Sequence, residues 1–128
     1  MKADLYIIDA CALIALLNRE PGYDVVLSIL KDAENGKATV FMHAVNLCEV
    51  YYDCLRQSGE KTADSLLKTI GAMPLKIVDR IDNKLLKETG RIKATEKVSL
   101  ADAFAAALAI VTKPGWLPRI IMNSVRWR

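Results

Sequence analysis

The chain has 128 residues, with 18 basic and 15 acidic side chains and a formal net charge of +3. That length builds one hydrophobic core rather than two, so residues 1–128 are expected to form a single domain. A hydrophobic share of 52% against 26% charged residues excludes a disordered chain, and no run approaches the ~20 apolar residues that cross a bilayer.

The charge is unevenly placed. Four of the basic residues and none of the acids fall at 113–128, which leaves 1–112 with a net charge of −1. The positive excess is a property of the tail, so the body is not a basic nucleic-acid-binding surface as a whole. The three cysteines, Cys11, Cys48 and Cys54, are odd in number. They show no paired C-x-x-C spacing that would make a zinc site with His43. Residues 1–4 lead straight into an apolar run with no cleavage site behind it. The expected setting is the cytoplasm, with the thiols free and buried.

Residues 5–8, Leu-Tyr-Ile-Ile, predict a short strand buried on both faces, stopping at Asp9. A helix follows over 10–17 and is broken at 18–22 by Pro21 and Gly22. Val25, Val26, Ile29, Leu30 and Ala33 carry helical spacing over 23–34, closed by Asn35 and Gly36. A second strand is expected at 38–42. A helix follows over 44–56, with Val45, Cys48, Tyr52 and Leu55 on its apolar side, and another over 61–71. A third strand is expected at 75–78, then helices over 81–94 and 99–111, and a last strand over 119–122. Strands alternating with helices predict an α/β domain in three layers. Its central, mainly parallel sheet has four or five short strands. Ligands in such sheets bind beyond the carboxyl ends of the strands, which draws attention to Asp9.

Three acids stand among apolar neighbours: Asp9, Glu49 and Asp102. A carboxylate in such surroundings costs several kcal/mol unless donors, a cationic partner or a metal compensates it. Each also has a purely structural role open to it. Asp9 is placed to N-cap the helix over 10–17. Asp102 lies three residues after Ser99, the capping-box spacing. Glu49 fits an exposed position on its helix. Brought together, the three would offer hard oxygen ligands of the kind that suit Mg²⁺ or Mn²⁺.

The run from Tyr6 to Gly22 resembles the opening motif of PIN-domain nucleases: an apolar strand, an Asp, an apolar helix and a Glu-Pro-Gly turn. The segment 44–50, with Glu49, is similar to their second motif. Leu100-Ala101-Asp102-Ala103-Phe104-Ala105 is similar to the third, above all as it occurs in VapC-type toxins of toxin–antitoxin pairs. The resemblance runs in order from Leu5 to about Val111. It implies a PIN-like, Rossmann-like fold and a metal-dependent endoribonuclease acting on single-stranded RNA. Asp9, Glu49 and Asp102 would hold Mg²⁺ or Mn²⁺. It also implies a homodimer held in check by a cognate antitoxin, with no membrane attachment.

The sequence departs from the family pattern in two places. Relatives have a fourth acid just after the last core strand; here that region is Ile120-Ile121-Met122-Asn123-Ser124, and no acid follows Asp102. Asn123 or Ser124 takes the place, inside an atypical segment over 113–128. This leaves open a catalytically weakened module that acts through its partner. Ala10-Cys11 stands where relatives often carry a hydroxyl residue. Asp79 and Asp82 read as exposed turn and N-cap residues rather than substitutes for the missing acid. Asn46, one turn before Glu49, reads equally as a supporting partner of the acids or an ordinary polar residue of an early helix turn. Tyr51 and Tyr52 are expected to pack between helices or at a subunit interface, and Trp116, Trp127 and Arg126 to pack or anchor the tail rather than stack on bases.

Overall fold

The structure, a computed structural model, describes residues 4–112 and 119–121. In chain order the elements are β1 (Asp4–Ile8), α1 (Ala10–Leu17), α2 (Tyr23–Glu34), β2 (Ala38–His43), α3 (Ala44–Ser58), α4 (Glu60–Gly71), β3 (Lys76–Val78), α5 (Asn83–Thr95), α6 (Leu100–Val111) and β4 (Arg119–Ile121). The four strands form one sheet in the order β3-β2-β1-β4, parallel at every pairing. Tyr6 stands opposite Val40 on one side and Arg119 on the other. This is the α/β architecture expected, with four strands among the described residues.

β1 is almost wholly buried because it has a strand on each side and helices over each face. Successive side chains point to opposite faces. Tyr6 and Ile8 join one core with Leu13, Val26, Leu30, Val40 and Met42. Ile7 joins the other with Leu85, Phe104 and Leu108. Each such aliphatic side chain contributes about 1.5–3 kcal/mol through burial. In α6, every residue from Ala101 to Ala109 is buried, because the helix packs on the sheet and is covered by α3 and α5. Alanine at six of those nine positions keeps the helix slim enough to lie close to its neighbours.

Three expectations need correction. The apolar side of α3 is not Val45, Cys48, Tyr52 and Leu55. Cys48, Tyr52 and Leu55 are exposed, and the helix buries Asn46 and Val50 instead. The helix is rotated because Asn46 has partners for both its polar groups and can go inside. The thiols are not buried either: Cys11 and Cys48 are exposed, Cys54 is half-buried, and none is in a disulfide. Finally, α3 runs on to Ser58, where Gly59, at φ +88°, ends it and begins α4. A positive φ there favours glycine over any residue with a Cβ. The last strand is described as far as Ile121.

The chain steps from β1 to β2 to β3 in one direction, then crosses by α5 and α6 to place β4 on the other side of β1. The reversal puts the crevice of this sheet at the carboxyl ends of β1 and β4. Asp9 is the first residue beyond β1. Among the described residues, no helix is long and apolar enough to cross a membrane.

Candidate active site

Asp9 is fully buried and is the N-cap of α1, in extended backbone, with Oδ1 accepting from the Ala12 N–H at 2.8 Å. Asp102 is buried in the first turn of α6, whose N-cap Ser99 accepts from the Asp102 N–H at 3.0 Å. Both carboxylates therefore sit at helix N-termini, where unsatisfied N–H groups and the helix dipole favour negative charge. A burial that is costly for a carboxylate elsewhere is tolerated here. The capping position and the buried acid turn out to be the same residue in the case of Asp9.

Glu49 lies half-buried in the second turn of α3. Burial pushes its carboxyl above the usual glutamate range, and the negative charges of Asp102 and Asp53 push it further. Glu49 and Asp102 thus share one electrostatic environment. Asn46, one helical turn before Glu49, ties the neighbourhood together. Its Oδ1 accepts from the N–H of Ala10, next to Asp9, and its Nδ2 donates to the carbonyl of Ala101, next to Asp102, each at 3.1 Å.

The three acids are thus carried on α1, α3 and α6 around one buried amide. Their side chains are not drawn into a closed ligand set. Among the described residues, no three His, Cys, Asp or Glu side chains are gathered closely enough to hold a metal ion. In kind the donors fit a hard divalent cation: all are carboxylate oxygens. Burial is the larger cause of the raised carboxyl of Glu49, and the smaller part due to Asp102 is a repulsion that a dication would relieve.

Sequence patterns assign His43 no role beyond excluding it, with the cysteines, as a zinc site. It is buried, and its Nδ1 accepts from the Val45 N–H at 3.1 Å, capping α3. That bond places the ring proton on Nε2, which donates to the Arg80 carbonyl at 3.0 Å. The ring stacks on Phe104, with centroids 4.7 Å apart and planes 22° apart. The only available signal was a polar residue at the junction of a strand and a helix, where a cap belongs. Asp82 caps α5 by accepting from the Leu85 N–H at 2.9 Å and is exposed, as is Asp79. Tyr51 joins α3 to α4 by donating to Asp64 at 2.7 Å, whereas Tyr52 is exposed beneath the Arg56 guanidinium. Trp116, Asn123, Ser124, Arg126 and Trp127 lie outside the described residues.

Comparisons with known proteins agree with this fold. No curated protein sequence matches the chain. Among solved structures, VapBC2 from Rickettsia felis, bound to a DNA fragment from its promoter, is similar at a TM-score of 0.68 and 18% identity, over 94% of this chain and 89% of that one. VapC20 from Mycobacterium tuberculosis, described as a toxin that cleaves the sarcin–ricin loop, is similar at 0.58 and 16%, over 80% and 79%. DNA-bound VapBC from Salmonella typhimurium is similar at 0.59 and 14%, over 91% and 98%. At these identities the likeness is one of fold. The family model described as PIN domain matches residues 6–113, from the first buried strand past the end of α6, and the chain belongs to the PIN domain family.

Proposed function

We propose that this protein is a metal-dependent endoribonuclease that hydrolyses phosphodiester bonds in single-stranded RNA, and that it is the toxin of a toxin–antitoxin pair. The observation that carries the reading is the trio Asp9, Glu49 and Asp102, carried on three helices around one buried amide in a chain that the PIN domain model matches over 6–113. Asp9, Glu49 and Asp102 would hold Mg²⁺ or Mn²⁺. When bound, such a cation lowers the pKa of water and offsets the charge that grows on the phosphate. The cap bond to Ala12 holds the Asp9 carboxylate in place, and the Ser99 cap holds the backbone of Asp102 at the start of α6. One of the three carboxylates would also take the proton of the attacking water.

The similar structures support a protein partner, since two of them are toxin–antitoxin complexes. A groove of about 580 Å³ lies between α1, α3 and α4, with Ile14, Leu17, Val50 and Leu66 set among polar side chains in its lining. We assign it to the cognate antitoxin. The protein is expected to act in the cytoplasm as a homodimer.

The test is cleavage of a single-stranded RNA by the purified chain with and without Mn²⁺. Cleavage is expected only with the metal, and is abolished in Asp9→Asn and in Asp102→Asn. Cleavage that survives in both variants removes these acids from the chemistry. One observation favours a second reading: the chain has no acid after Asp102. On that reading it is a weakened PIN module that works through its partner. It then forms the antitoxin complex normally but shows no metal-dependent cleavage.

A further inference from the structure

We propose that Asn46 is a positioning residue, whose side-chain amide sets the placement of Asp9 relative to Asp102 and thereby the affinity of the acidic site for a divalent cation. The inference rests on the proposed metal site and concerns a residue that does not itself supply a carboxylate.

Asn46 is fully buried, and its two bonds go to two different helices. Oδ1 accepts from the first N–H of α1, that of Ala10, and Nδ2 donates to the Ala101 carbonyl in the first turn of α6. These backbone groups lie 36 and 55 residues away in sequence, and each belongs to the neighbour of an acid. The first-turn N–H groups of a helix have no partner within the helix. At α1 they are divided: Asn46 takes the N–H of Ala10 and Asp9 takes that of Ala12.

The amide suits the task because one rigid, planar group carries an acceptor and a donor side by side. A carboxylate has no donor for Ala101, and a leucine of like size has neither group. Glutamine has both but is longer by one methylene. Without Asn46, the Ala10 N–H loses its acceptor and lies next to the Asp9 carboxylate, while the start of α6 is no longer tied to the start of α1. Both acids would then be held less firmly, while the apolar cores on either face of the sheet stay intact.

The experiment is Mn²⁺ binding by calorimetry on wild type, Asn46→Ala, Asn46→Ser and a stability control, Ile70→Ala, which truncates the core on α4. Loss of a residue that orients metal ligands weakens metal binding by about 10–100-fold. Asn46→Ala is expected to raise the dissociation constant by about tenfold or more. Asn46→Ser, which keeps at most one of the two bonds, is expected to fall between it and wild type. Ile70→Ala should melt earlier yet bind Mn²⁺ as wild type does. Raising Mn²⁺ should restore RNA cleavage in the Asn46 variants, with KM for RNA unchanged. A folded Asn46→Ala that binds Mn²⁺ within about twofold of wild type overturns the proposal, as does an equal loss in Ile70→Ala. A wild-type chain that binds no Mn²⁺ overturns the metal site as well, so the two failures are told apart. Should neither Asn46 variant fold, nuclear magnetic resonance of the wild-type chain decides. The Asn46 side-chain amide protons must exchange slowly and shift on adding Mg²⁺; rapid exchange or no shift overturns the proposal.

Discussion

Asp9 offers the sharpest separation of stability from chemistry, because two substitutions there remove different things. Asp9→Ala removes both the charge and the acceptor that holds the Ala12 N–H at 2.8 Å in a fully buried setting. A lost N-cap costs about 1 kcal/mol, and a buried donor left without a partner raises the total to about 2 kcal/mol. For a domain of this size that is a fall of roughly 6–10 °C in Tm. Asp9→Asn removes the charge but keeps an oxygen in place. Asparagine and aspartate cap helices about equally well, so its stability should stay within about 0.5 kcal/mol of wild type. Thermal melts in the presence of a chelator read the first quantity, and Mn²⁺-dependent RNA cleavage reads the second. The expected pattern is two inactive variants, of which one is destabilised. An active Asp9→Asn refutes the assignment of the charge to the chemistry. An Asp9→Asn that melts as early as Asp9→Ala refutes the cap as the source of the stability.

Three further outcomes follow from the same geometry. The folded-state carboxyl of Glu49 lies above its unfolded value, so its contribution to stability is present below the unfolded pKa and is lost as pH rises through the folded one. Glu49→Gln should therefore be at least as stable as wild type at neutral pH in chelator, with the difference closing toward acid. A less stable variant at neutral pH sinks the point, and in wild type Mn²⁺ affinity should fall on acidification from above the usual glutamate range. Ser99→Ala removes the cap of α6 at the Asp102 N–H and should lower the free energy of unfolding by about 1 kcal/mol, read as a lower urea midpoint at unchanged m-value. His43→Ala loses the bonds to Val45 and Arg80 and the stack on Phe104; a cost of about 3 kcal/mol is expected from chemical denaturation, and one under about 1 kcal/mol shows that the ring is not structural.

The elements were legible in the sequence because each carries a periodic signal and a stop. Leu5 to Ile8 is a continuous apolar run that only a doubly covered strand explains, and Gly36 and Gly59 end helices at positive φ. Asp82 was legible as a cap, although the helix pattern read from 81 begins two residues before α5 does. What was not legible is how α3 is turned. Counting apolar residues put Cys48, Tyr52 and Leu55 inside, whereas the structure buries a polar Asn46. Asn46 is tolerated there only because partners 36 and 55 residues away take both of its polar groups, and no local pattern encodes such partners. His43 was hidden for the same reason: its Nε2 partner is the Arg80 carbonyl.

The same contrast explains why a capping role and a chemical role could not be told apart for Asp9 and Asp102 from sequence alone. The two roles have the same local requirements: an acid just after a strand or at the start of a buried helix, with backbone donors nearby. They do not compete for the same atoms. A carboxylate has about four acceptor positions, and a cap uses one of them. On the proposed function, the cap bond of Asp9 to Ala12 would favour chemistry, because it fixes the carboxyl group before any cation arrives. The cost of gathering negative charge falls in part on Glu49, the acid of the trio that is not part of a helix cap, whose carboxyl is raised by burial first and then by Asp102 and Asp53. Stability and activity should therefore pull in opposite directions at Glu49, and at Asp9 fall together in the alanine variant but separate in the asparagine one. Measuring both quantities on the same set of variants distinguishes a built acidic site from three unrelated structural acids.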